Sequence, residues 1–582
     1  MGSLIIGASQ LPWRPRLADD RLAAAISQQH GLPEIVARVL AGRGIAPDSV
    51  AEFLHPSLRS MLPDPSHLLG MDKAVARLVR AVEQRETIAL FGDYDVDGAT
   101  SVSQLTDYFA ALGIPTIPYI PDRMREGYGP NIPAFDALIA KGASLIITVD
   151  CGTLAFEPIA HACSKNIDVL VFDHHLGEAR LPDAHAVVNP NRVDETSPHR
   201  NLCAAGVVFL VLVALNRALR ESGYFNDARS APDLLALLDR VALGTVCDVM
   251  PLTGLNRAYV TQGLKLLAQR RHIGLRALAD VARFDAAPTV YHLGFLLGPR
   301  INAGGRVGES SLGIRLLASR EEAEARGLAA TLNQYNQERQ AIESVVLERA
   351  LAQAETQRNM PVLLVADAGW HPGVIGIVAG RLKETFARPA IVGSMEEGVI
   401  KASARSVAGA DIGAVTHRAV TEGLLLAGGG HAMAAGFSFA ADKREAVHAY
   451  YTQQLAAAVA AYAESRAKLY DGWVTVAGAN PELLAALTQL EPYGLGFPKP
   501  KLVLAEAKVL YRTLLKEKHL KLVLADAHGT VRLDAIAFNI QGTPLGEMLA
   551  RENRLHLYGE LAENHWQGAR RLQFIIDDAA AL

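Results

Sequence analysis

The stretch TIALFGDYDVDG, residues 87–98, decides the fold of this chain. It begins as a short apolar run with β-branched residues, which predicts a buried strand, and it ends in three acids at alternating positions followed by glycine. ASLIITVDCG at 143–152 and IDVLVFDHH at 167–175 repeat this design, and helical stretches at 100–113 and 132–142 separate the three. Apolar strands that alternate with helices predict an α/β domain with a parallel sheet covered on both faces.

The acids and imidazoles after these strands are expected to lie close together, because ligands bind beyond the carboxyl ends of parallel strands. A fourth acid follows another apolar segment in GTVCDVMPL at 244–252. The candidate metal ligands are Asp93, Asp95, Asp150, His174 and Asp248. Mixed carboxylate and imidazole ligation suits Mn²⁺ or Mg²⁺ better than a thiolate-rich zinc site, and a carboxylate that bridges two ions is common in phosphoryl hydrolysis. The sequence therefore predicts a site for two Mn²⁺ or Mg²⁺ ions.

Two other interpretations of the first motif are simpler. An ordinary acidic loop between a strand and a helix would show the same residues without binding a cation. An EF-hand loop also begins with DxDxDG, but it needs a bidentate Glu at its twelfth position. Counting from Asp93, that position is Gln104, a neutral amide, so the EF-hand interpretation fails.

Four motifs, in this order and spacing, resemble those of the DHH phosphoesterases: GDYDVDG at 92–98, VDCG at 149–152, DHH at 173–175 and GTVCDVMPL at 244–252. Together with GPRINAGGR at 298–306, GGGHAMAAGF at 428–437 and the β-rich C-terminal region, they are most similar to the branch of this family that degrades single-stranded DNA from its 5′ end. The resemblance covers nearly the whole chain from residue 30 onward.

The resemblance implies which residues hold the two ions. Asp150 would bridge them, and Asp93 would share one ion with it. The remaining ligands of the second ion would be Asp95, His174 and Asp248.

Catalytic roles would fall to Asp150, His175 and Arg300 by the same resemblance. His175 would face the scissile phosphate as a charge stabiliser or as the proton donor to the leaving oxygen. Arg300, Asn302 and Arg306 would contact the phosphate, a task that suits arginine because its planar fork matches phosphate oxygens. A salt bridge to an acid of the metal site is a second interpretation of Arg300, and the two are compatible.

The chain departs from the family pattern at two positions. Many relatives carry His two residues before the first Asp, where this chain has Phe91, so one ion would have fewer protein ligands and bind more weakly. Ala204 stands where relatives usually have Gly, which puts little in doubt because Ala is the smallest substitute.

Two basic segments would bind the 5′ end of the strand. By resemblance, Arg123, Ser403 and Arg405 would form a pocket for the 5′-terminal phosphate. Such a pocket would stop the strand one nucleotide beyond the ions, so cleavage would release mononucleotides. From composition alone, solvated surface loops explain 123–125 and 401–405 equally well.

The glycine-rich segment resembles the signature of the DHH-associated domain. Gly429, Gly430 and His431 would bring backbone N–H groups close to phosphates, although tight packing at a turn is an alternative. Trp370 and His371 are candidates for a wall of the same cleft.

Short strands with polar connections from about residue 470 predict a small β-barrel of the OB type. Residues 508–521 hold five basic residues and one acid, with Tyr511 and His519 interleaved and Lys518 beside His519. A basic groove with aromatic platforms is how OB-folds bind single strands, whereas a solvated strand face is the competing interpretation.

The expected organisation has five parts. They are an N-terminal segment at 1–60, a DHH catalytic domain at 61–319, a connecting helix at 320–357, a second α/β domain of the DHH-associated type at 358–468 and an OB-fold DNA-binding domain at 469–582.

Composition limits the class of protein. The 582 residues carry 57 Lys+Arg and 61 Asp+Glu, so the net charge of −4 excludes a polycation that binds nucleic acid by bulk charge, but not a local basic groove. Four cysteines without a CxxC pair argue against a zinc ribbon or a disulfide scaffold. The longest apolar run, 203–215, is too short to span a bilayer, and the N-terminus lacks a secretory pattern, so we expect a soluble, cytoplasmic protein.

The leading hypothesis is a metal-dependent 5′→3′ exonuclease on single-stranded DNA. The alternatives are a phosphodiesterase for very short oligonucleotides or cyclic dinucleotides, a pyrophosphatase, and a non-catalytic single-strand-binding scaffold. The resemblance implies DNA repair and recombination as the setting, with a single-strand-binding protein and a helicase as partners of a monomeric enzyme.

Overall fold

The computed structural model describes residues 5–122, 126–127, 129–284, 286–566 and 569–582. The chain divides into two compact units. The smaller unit comprises Met1–Met61, Pro251–Arg257 and Arg466–Leu582, and the larger unit comprises Leu62–Met250 and Ala258–Ser465.

The chain begins with short elements that belong to the first of these units. They are β1 (Ile5–Ile6), β2 (Pro12–Pro15), α1 (Arg21–His30), α2 (Glu34–Ala41), α3 (Val50–Leu54) and α4 (Leu58–Met61).

A parallel sheet organises the first lobe of the larger unit. The elements that follow α4 are α5 (Met71–Glu83), β3 (Ile88–Gly92), α6 (Val96–Ala111), β4 (Thr116–Tyr119), α7 (Ile132–Ala140), β5 (Leu145–Val149), α8 (Phe156–Ser164), β6 (Asp168–Phe172), β7 (Ala186–Val188), α9 (Ala204–Glu221), α10 (Leu238–Cys247), α11 (Gly254–Ala268), α12 (Ile273–Ala282), α13 (Gly298–Val307) and α14 (Leu312–Ala318). The strand order is β4-β3-β5-β6-β7, and every neighbouring pair is parallel. Every residue of β3 and β5 is buried, which explains their uninterrupted apolar sequences. The predicted α/β class is confirmed.

The register of the sheet aligns the strand ends. Gly92 pairs with Val149, and Val149 pairs with Phe172. The residues that follow these strands therefore leave the sheet side by side at its carboxyl edge, as the sequence predicts. The acid of the fourth motif does not follow a strand. Asp248 is instead the C-cap of helix α10.

A single long helix, α15 (Glu322–Glu355), connects the two lobes of the larger unit, as predicted. Its 34 residues span about 50 Å at 1.5 Å per residue.

The second lobe is also α/β. Its elements are β8 (Leu363–Ala368), α16 (Pro372–Phe386), β9 (Ala390–Glu396), β10 (Val399–Arg405), α17 (Ile412–Thr421), β11 (Ala427–His431), β12 (Ala434–Ala440) and α18 (Arg444–Ser465). The strand order is β11-β12-β10-β9-β8, in which only β8 and β9 are parallel. The glycine-rich segment forms the β11–β12 hairpin.

The smaller unit contains a closed barrel. Its C-terminal elements are β13 (Lys468–Tyr470), β14 (Gly472–Val474), α19 (Pro481–Thr488), β15 (Leu502–Leu515), β16 (His519–Ala525), β17 (Arg532–Ala537), α20 (Pro544–Arg551), β18 (Arg554–Trp566) and β19 (Ala569–Ala581). The order β15-β16-β17-β19-β18 closes through a second pairing of β15 with β18, which confirms the predicted OB-type barrel.

Candidate metal centre and nucleic-acid contacts

Three groups of side chains at the carboxyl edge of the parallel sheet could hold a metal ion. They are Asp93 with Asp95 and Asp150; Asp97 with His174 and Asp248; and Asp150 with His174 and His175. Within each group the ligand atoms lie within 4.8 Å of one another. Asp150 and His174 each belong to two groups, so the groups form one continuous cluster. All five ligands proposed from the sequence lie in it.

The loop after β3 holds its acids through local hydrogen bonds. Asp95 is the N-cap of α6, and its Oδ1 accepts the N–H groups of Asp97 at 2.8 Å and Gly98 at 3.2 Å. A Cβ on Gly98 would lie 2.3 Å from the carbonyl oxygen of Asp93, so only glycine allows the helix to start this close to the strand. The DxDxDG spacing therefore serves the turn as well as the acids.

Asp150 occupies an uncommon backbone conformation. Its φ of +59° lies in the left-handed region, which residues other than Gly, Asn and Asp rarely adopt. Left-handed non-glycine residues cluster at functional sites, where the surrounding structure fixes the conformation. Nε2 of His174 lies 3.1 Å from Asp150 Oδ1, 3.5 Å from Asp248 Oδ2 and 3.8 Å from Asp97 Oδ2, so the imidazole faces the centre of the cluster.

The electrostatics of the cluster favour a cation. Burial, followed by the charges of the neighbouring acids, raises the pKa of Asp150 well above its ordinary value and raises the pKa of Asp248 to about 9. Asp248 Oδ2 is buried and accepts no hydrogen bond from the described residues. Burial lowers the pKa of His174, which favours the neutral imidazole that ligates metals. Hard carboxylate oxygens with one imidazole therefore fit Mn²⁺ or Mg²⁺.

His175 is held by Asp173, the first residue of the DHH motif. Asp173 Oδ1 accepts the Nδ1–H of His175 at 2.8 Å, and the same carboxylate accepts the N–H groups of His174 at 2.8 Å and Thr153 at 3.1 Å. Burial alone would lower the pKa of His175, but the Asp173 hydrogen bond and the nearby negative charges outweigh it and raise the pKa to about 9. Asp173 thus orients the imidazole at the edge of the cluster and favours its protonated form.

Asp97 is a functional candidate that the sequence reasoning missed. Its side chain is fully buried, and its two oxygens accept the N–H groups of Ala204 at 2.6 Å and Ala205 at 2.9 Å, at the start of α9. The signal was present, because Asp97 is the third acid of the same motif, but the sequence does not show that it faces His174 and Asp248.

Phe91 contributes no ligand. It is fully buried, and its ring stacks on Tyr119 with centroids 5.4 Å apart and meets the edge of Phe135 at 5.8 Å.

The residues of α13 lie between the lobes of the larger unit. Arg300 donates from Nε to Asn333 Oδ1 at 3.0 Å and from Nη1 to the carbonyl of Leu296 at 2.7 Å. Arg306 Nη1 donates to the carbonyl of Gly373 at 3.0 Å. These bonds direct both guanidinium groups to protein atoms, and phosphate contact by Arg300, Asn302 and Arg306 stays a prediction.

Trp370 and His371, the two residues predicted for a wall of the cleft, both make contacts within the second lobe. The Trp370 side chain is 3% exposed and packs in the apolar core of the second lobe, and its place in the wall of a DNA cleft stays a prediction. His371 is the N-cap of α16, and its Nδ1 accepts the Gly373 N–H at 3.0 Å.

The residues proposed for the 5′ phosphate lie only partly within the described chain. Ser403 and Arg405 point to the same side of β10, and Arg405 Nη1 donates to Ser403 Oγ at 3.3 Å. A Cβ on Gly376 would lie 3.0 Å from Ser403 Oγ and 3.3 Å from Arg405 Nη2, so glycine keeps α16 close to this pair. Arg123 lies outside the described residues.

A cavity of about 570 Å³ lies beside the metal cluster and is lined by residues of both lobes of the larger unit. His175 and Asp173 line it from the first lobe, and His431 lines it from the second. Gly429 and Gly430 precede His431 on β11; a Cβ on Gly430 would lie 2.4 Å from the Ala434 carbonyl oxygen, so tight hairpin packing explains that glycine.

In the barrel, the Tyr511 side chain is 61% exposed and Lys518 is also exposed. His519 accepts the Asn539 N–H at 3.0 Å, and its ring meets Phe538 edge-on with centroids 5.3 Å apart. These side chains offer an aromatic and basic surface, and their contact with DNA stays a prediction.

None of the helices in the described parts of the chain is both long and apolar enough to cross a membrane.

Known families match each lobe and the barrel. Residues 87–245 match the DHH family N-terminal domain, residues 359–457 match the DHHA1 domain and residues 470–578 match the RecJ OB domain. The single-stranded-DNA-specific exonuclease RecJ of Salmonella typhimurium is 37% identical over 559 residues, which cover 94% of this chain and 96% of that protein.

Solved structures of RecJ are similar to this chain over nearly its full length. A crystal structure of RecJ in complex with Mn²⁺ from Thermus thermophilus has a TM-score of 0.80 and 29% identity, covering 98% of this chain and 79% of that one. The Mg²⁺ complex of the same protein has a TM-score of 0.75 and 29% identity, over 98% of this chain and 78% of that one.

The parallel sheet with its acid and imidazole edge, followed by the second lobe, defines a protein of the DHH family. Within it, the chain belongs to the RecJ family, on the strength of 37% identity over almost its full length. The resemblance expected from the four motifs is confirmed.

Proposed function

We propose that this protein is a metal-dependent exonuclease that degrades single-stranded DNA from its 5′ end and releases 5′-mononucleotides. The observation that carries the proposal is the continuous cluster at the sheet edge, in which Asp150 and His174 are shared between metal-capable groups. Its nearly full-length relatives are named single-stranded-DNA-specific exonucleases, and the Thermus relative has been solved with Mn²⁺ and with Mg²⁺.

The ligands divide into two sets. Asp93, Asp95 and Asp150 lie together and would hold one ion, so we move Asp95 to this ion from the second one, where the family resemblance placed it. His174 and Asp248 would hold the other with Asp150, and Asp97 faces the same position. When bound, two such ions offset the charge of the attacked phosphate and make water a better nucleophile.

The chain itself supplies orientation and a proton. Asp173 fixes the His175 ring, and the hydrogen bond at 2.8 Å holds a proton on Nδ1. The Asp173 hydrogen bond and the nearby negative charges raise the pKa of His175 to about 9, which favours an imidazole that stabilises the phosphate or donates a proton to the leaving 3′-oxygen. Ser403 and Arg405 would bind the terminal 5′ phosphate, because a hydroxyl and a guanidinium fork are both suited to phosphate oxygens.

The competing hypothesis is a phosphodiesterase for very short oligonucleotides or cyclic dinucleotides. A barrel of more than 100 residues that matches the RecJ OB domain has no purpose in that activity, whereas it suits a long single strand. A scaffold without catalysis is disfavoured because the acid set is complete in the structure.

The proposal extends to the setting of the enzyme. We infer that it works as a monomer in the cytoplasm, in DNA repair and recombination, and that a single-strand-binding protein and a helicase supply its substrate. The free cysteines support a reducing compartment.

The test is digestion of oligonucleotides labelled at either end, as single strands and as duplexes, with Mn²⁺ or Mg²⁺. We expect labelled mononucleotide from the 5′ end of the single strand. Equal digestion of a blunt duplex would refute the strand specificity, release from the 3′ end would refute the polarity, and turnover of dinucleotides alone would favour the phosphodiesterase.

A further inference from the structure

A second cavity, of about 660 Å³, lies in the larger unit where α13, α15 and α16 meet. The side chains that matter in its wall are Phe295, Asn302, Arg306, Arg339, Glu343 and Arg381. Three arginines against one glutamate give the wall a positive charge, which favours an anionic ligand.

Several polar groups in this wall are available to a ligand. Arg339 is 8% exposed and binds Glu343 and Asn336, but its Nε is buried without a hydrogen-bond partner among the described residues. Asn302 Oδ1 is likewise buried without one in the described chain. The Arg381 side chain is 58% exposed, and its ion pairs with described residues are long, at 3.9 Å to Glu343 and 3.6 Å to Glu384.

An aromatic platform adjoins the basic wall. The rings of Tyr291 and Phe295 stack with centroids 5.3 Å apart and an interplanar angle of 21°. The two residues are 59% and 68% exposed. Two large parallel rings exposed side by side next to arginines offer flat faces to a planar ligand, whereas scattered exposed apolar residues would not.

The turn that carries Phe295 packs against the segment that precedes Asp248. Phe295 lies on a single π-helical turn, His292–Leu297, in which the Gly298 N–H donates to the carbonyl of Leu293. The thiol of Cys247, the residue before Asp248, donates to the same carbonyl at 3.5 Å. A Cβ on Gly298 would lie 2.4 Å from Cys247 Sγ, so glycine lets the turn pack directly against this segment. Such turns are frequent at functional sites.

We infer that this cavity and platform form a subsite for a single-stranded nucleic acid, in which bases stack on Phe295 and Tyr291 while Arg381 and Arg339 attract phosphates. The inference rests on the proposed function and adds a binding subsite for the strand away from its cleaved end. Stacking on ring faces is tolerant of base identity, as a sequence-independent exonuclease requires. An acidic peptide would use the arginines but would not require two parallel rings.

The test measures binding of a labelled oligo(dT) of about 12 nucleotides, within the usual range of single-strand site sizes, by fluorescence anisotropy at several salt concentrations. All proteins carry Asp150→Asn to prevent digestion. The platform variant is Tyr291→Leu with Phe295→Leu, the charge variant is Arg381→Gln, and the matched control is Phe225→Leu, an aromatic residue that lines neither cavity.

We expect the platform variant to bind about 5- to 100-fold more weakly with an unchanged salt dependence. We expect Arg381→Gln to reduce the slope of log K against log salt by about 0.7. With Asp150 restored, the platform variant should raise KM while kcat stays near the wild-type value.

Platform and control variants with equal affinity would overturn the inference while the proposed function stands. An acidic peptide that binds the wild type and is lost in the platform variant, with oligo(dT) unaffected, would assign the cavity to a protein partner instead. A wild-type protein that neither binds nor digests single strands would overturn both the subsite and the proposed function.

Discussion

Replacing Asp97 with Asn tests a residue that the motif alone did not reveal. Asp97 Oδ2 accepts the Ala204 N–H at 2.6 Å, and Oδ1 accepts the Ala205 N–H at 2.9 Å. Asn offers only one acceptor oxygen, so one of these two N–H groups must face an NH₂ group. The variant loses a charge-assisted hydrogen bond at the start of α9 and leaves a buried donor without a partner.

The size of the effect depends on two opposing terms. A hydrogen bond to a charged group contributes about 1.5–3 kcal/mol to stability. Burial and the charge of Asp95 raise the pKa of Asp97, so removing its charge relieves repulsion within the metal-free cluster. We therefore expect a net loss of only about 1–2 kcal/mol in the free energy of unfolding without metal.

Metal changes this balance. An ion at 100 times its Kd stabilises the wild type by about 2.7 kcal/mol. The Asn variant presents less negative charge to the ion, so it gains less, and the difference in unfolding free energy widens to about 4 kcal/mol if binding is lost.

The assay is thermal unfolding in EDTA and in MnCl₂ for the wild type, Asp97→Asn and the control Asp72→Asn, an exposed acid in the first turn of α5. The control should behave as the wild type. An equal rise of Tm with Mn²⁺ in Asp97→Asn and the wild type would refute a place for Asp97 in the cation cluster. Equal stability in EDTA would refute its role in holding α9.

Three further outcomes follow from buried contacts. Asp173→Asn removes the charge that orients His175, so kcat on a 5′-phosphorylated single strand should fall about 10²–10⁴-fold with little change in KM, and a normal kcat would contradict the positioning role. Burial lowers the pKa of His272 to about 3, below its ordinary value of 6.5. The unfolded protein therefore takes up a proton here that the folded protein does not, so the free energy of unfolding decreases as the pH falls from about 6.5 toward 3. His272→Asn keeps an N-cap acceptor without titrating, so between pH 6.5 and 4.5 it should lose about 2 kcal/mol less than the wild type in urea unfolding; parallel curves would count against this. Arg257 is fully buried and donates hydrogen bonds to the carbonyls of Phe53 and of residues 490–492 within the smaller unit. Arg257→Lys should therefore destabilise that unit by about 3 kcal/mol, measured by limited proteolysis of the barrel. Unchanged protection from the protease would show that these hydrogen bonds are dispensable.

The sequence predicted the sheet and the ligands because both follow from local patterns. Uninterrupted apolar runs such as Ile88–Gly92 are typical of strands buried on both faces of a parallel sheet, and the level register of such strands then brings Asp150 to the acids of the first motif. The barrel was similarly predictable from short strands with polar connections.

The features that the sequence did not reveal depend on three-dimensional packing. Trp370 is a candidate wall of the cleft in the sequence, and its burial in the core of the second lobe is visible only in the structure. The sequence does not show that Tyr291 and Phe295 form a pair, and the structure stacks their exposed rings at a π-helical turn. Asp97 reads as part of the turn, and its place in the cluster depends on α9.

The most direct test of the central claim is the rate of mononucleotide release from a 5′-phosphorylated single strand by the wild type and by Asp150→Asn, with and without Mn²⁺. Asn keeps the size of the side chain and tolerates the left-handed backbone at this position, so the variant should fold and bind DNA normally. We expect Mn²⁺-dependent release by the wild type and none detectable by the variant, with the Kd for the strand within about twofold. Release by Asp150→Asn at the wild-type rate would contradict the assignment of Asp150 as the shared ligand of two ions.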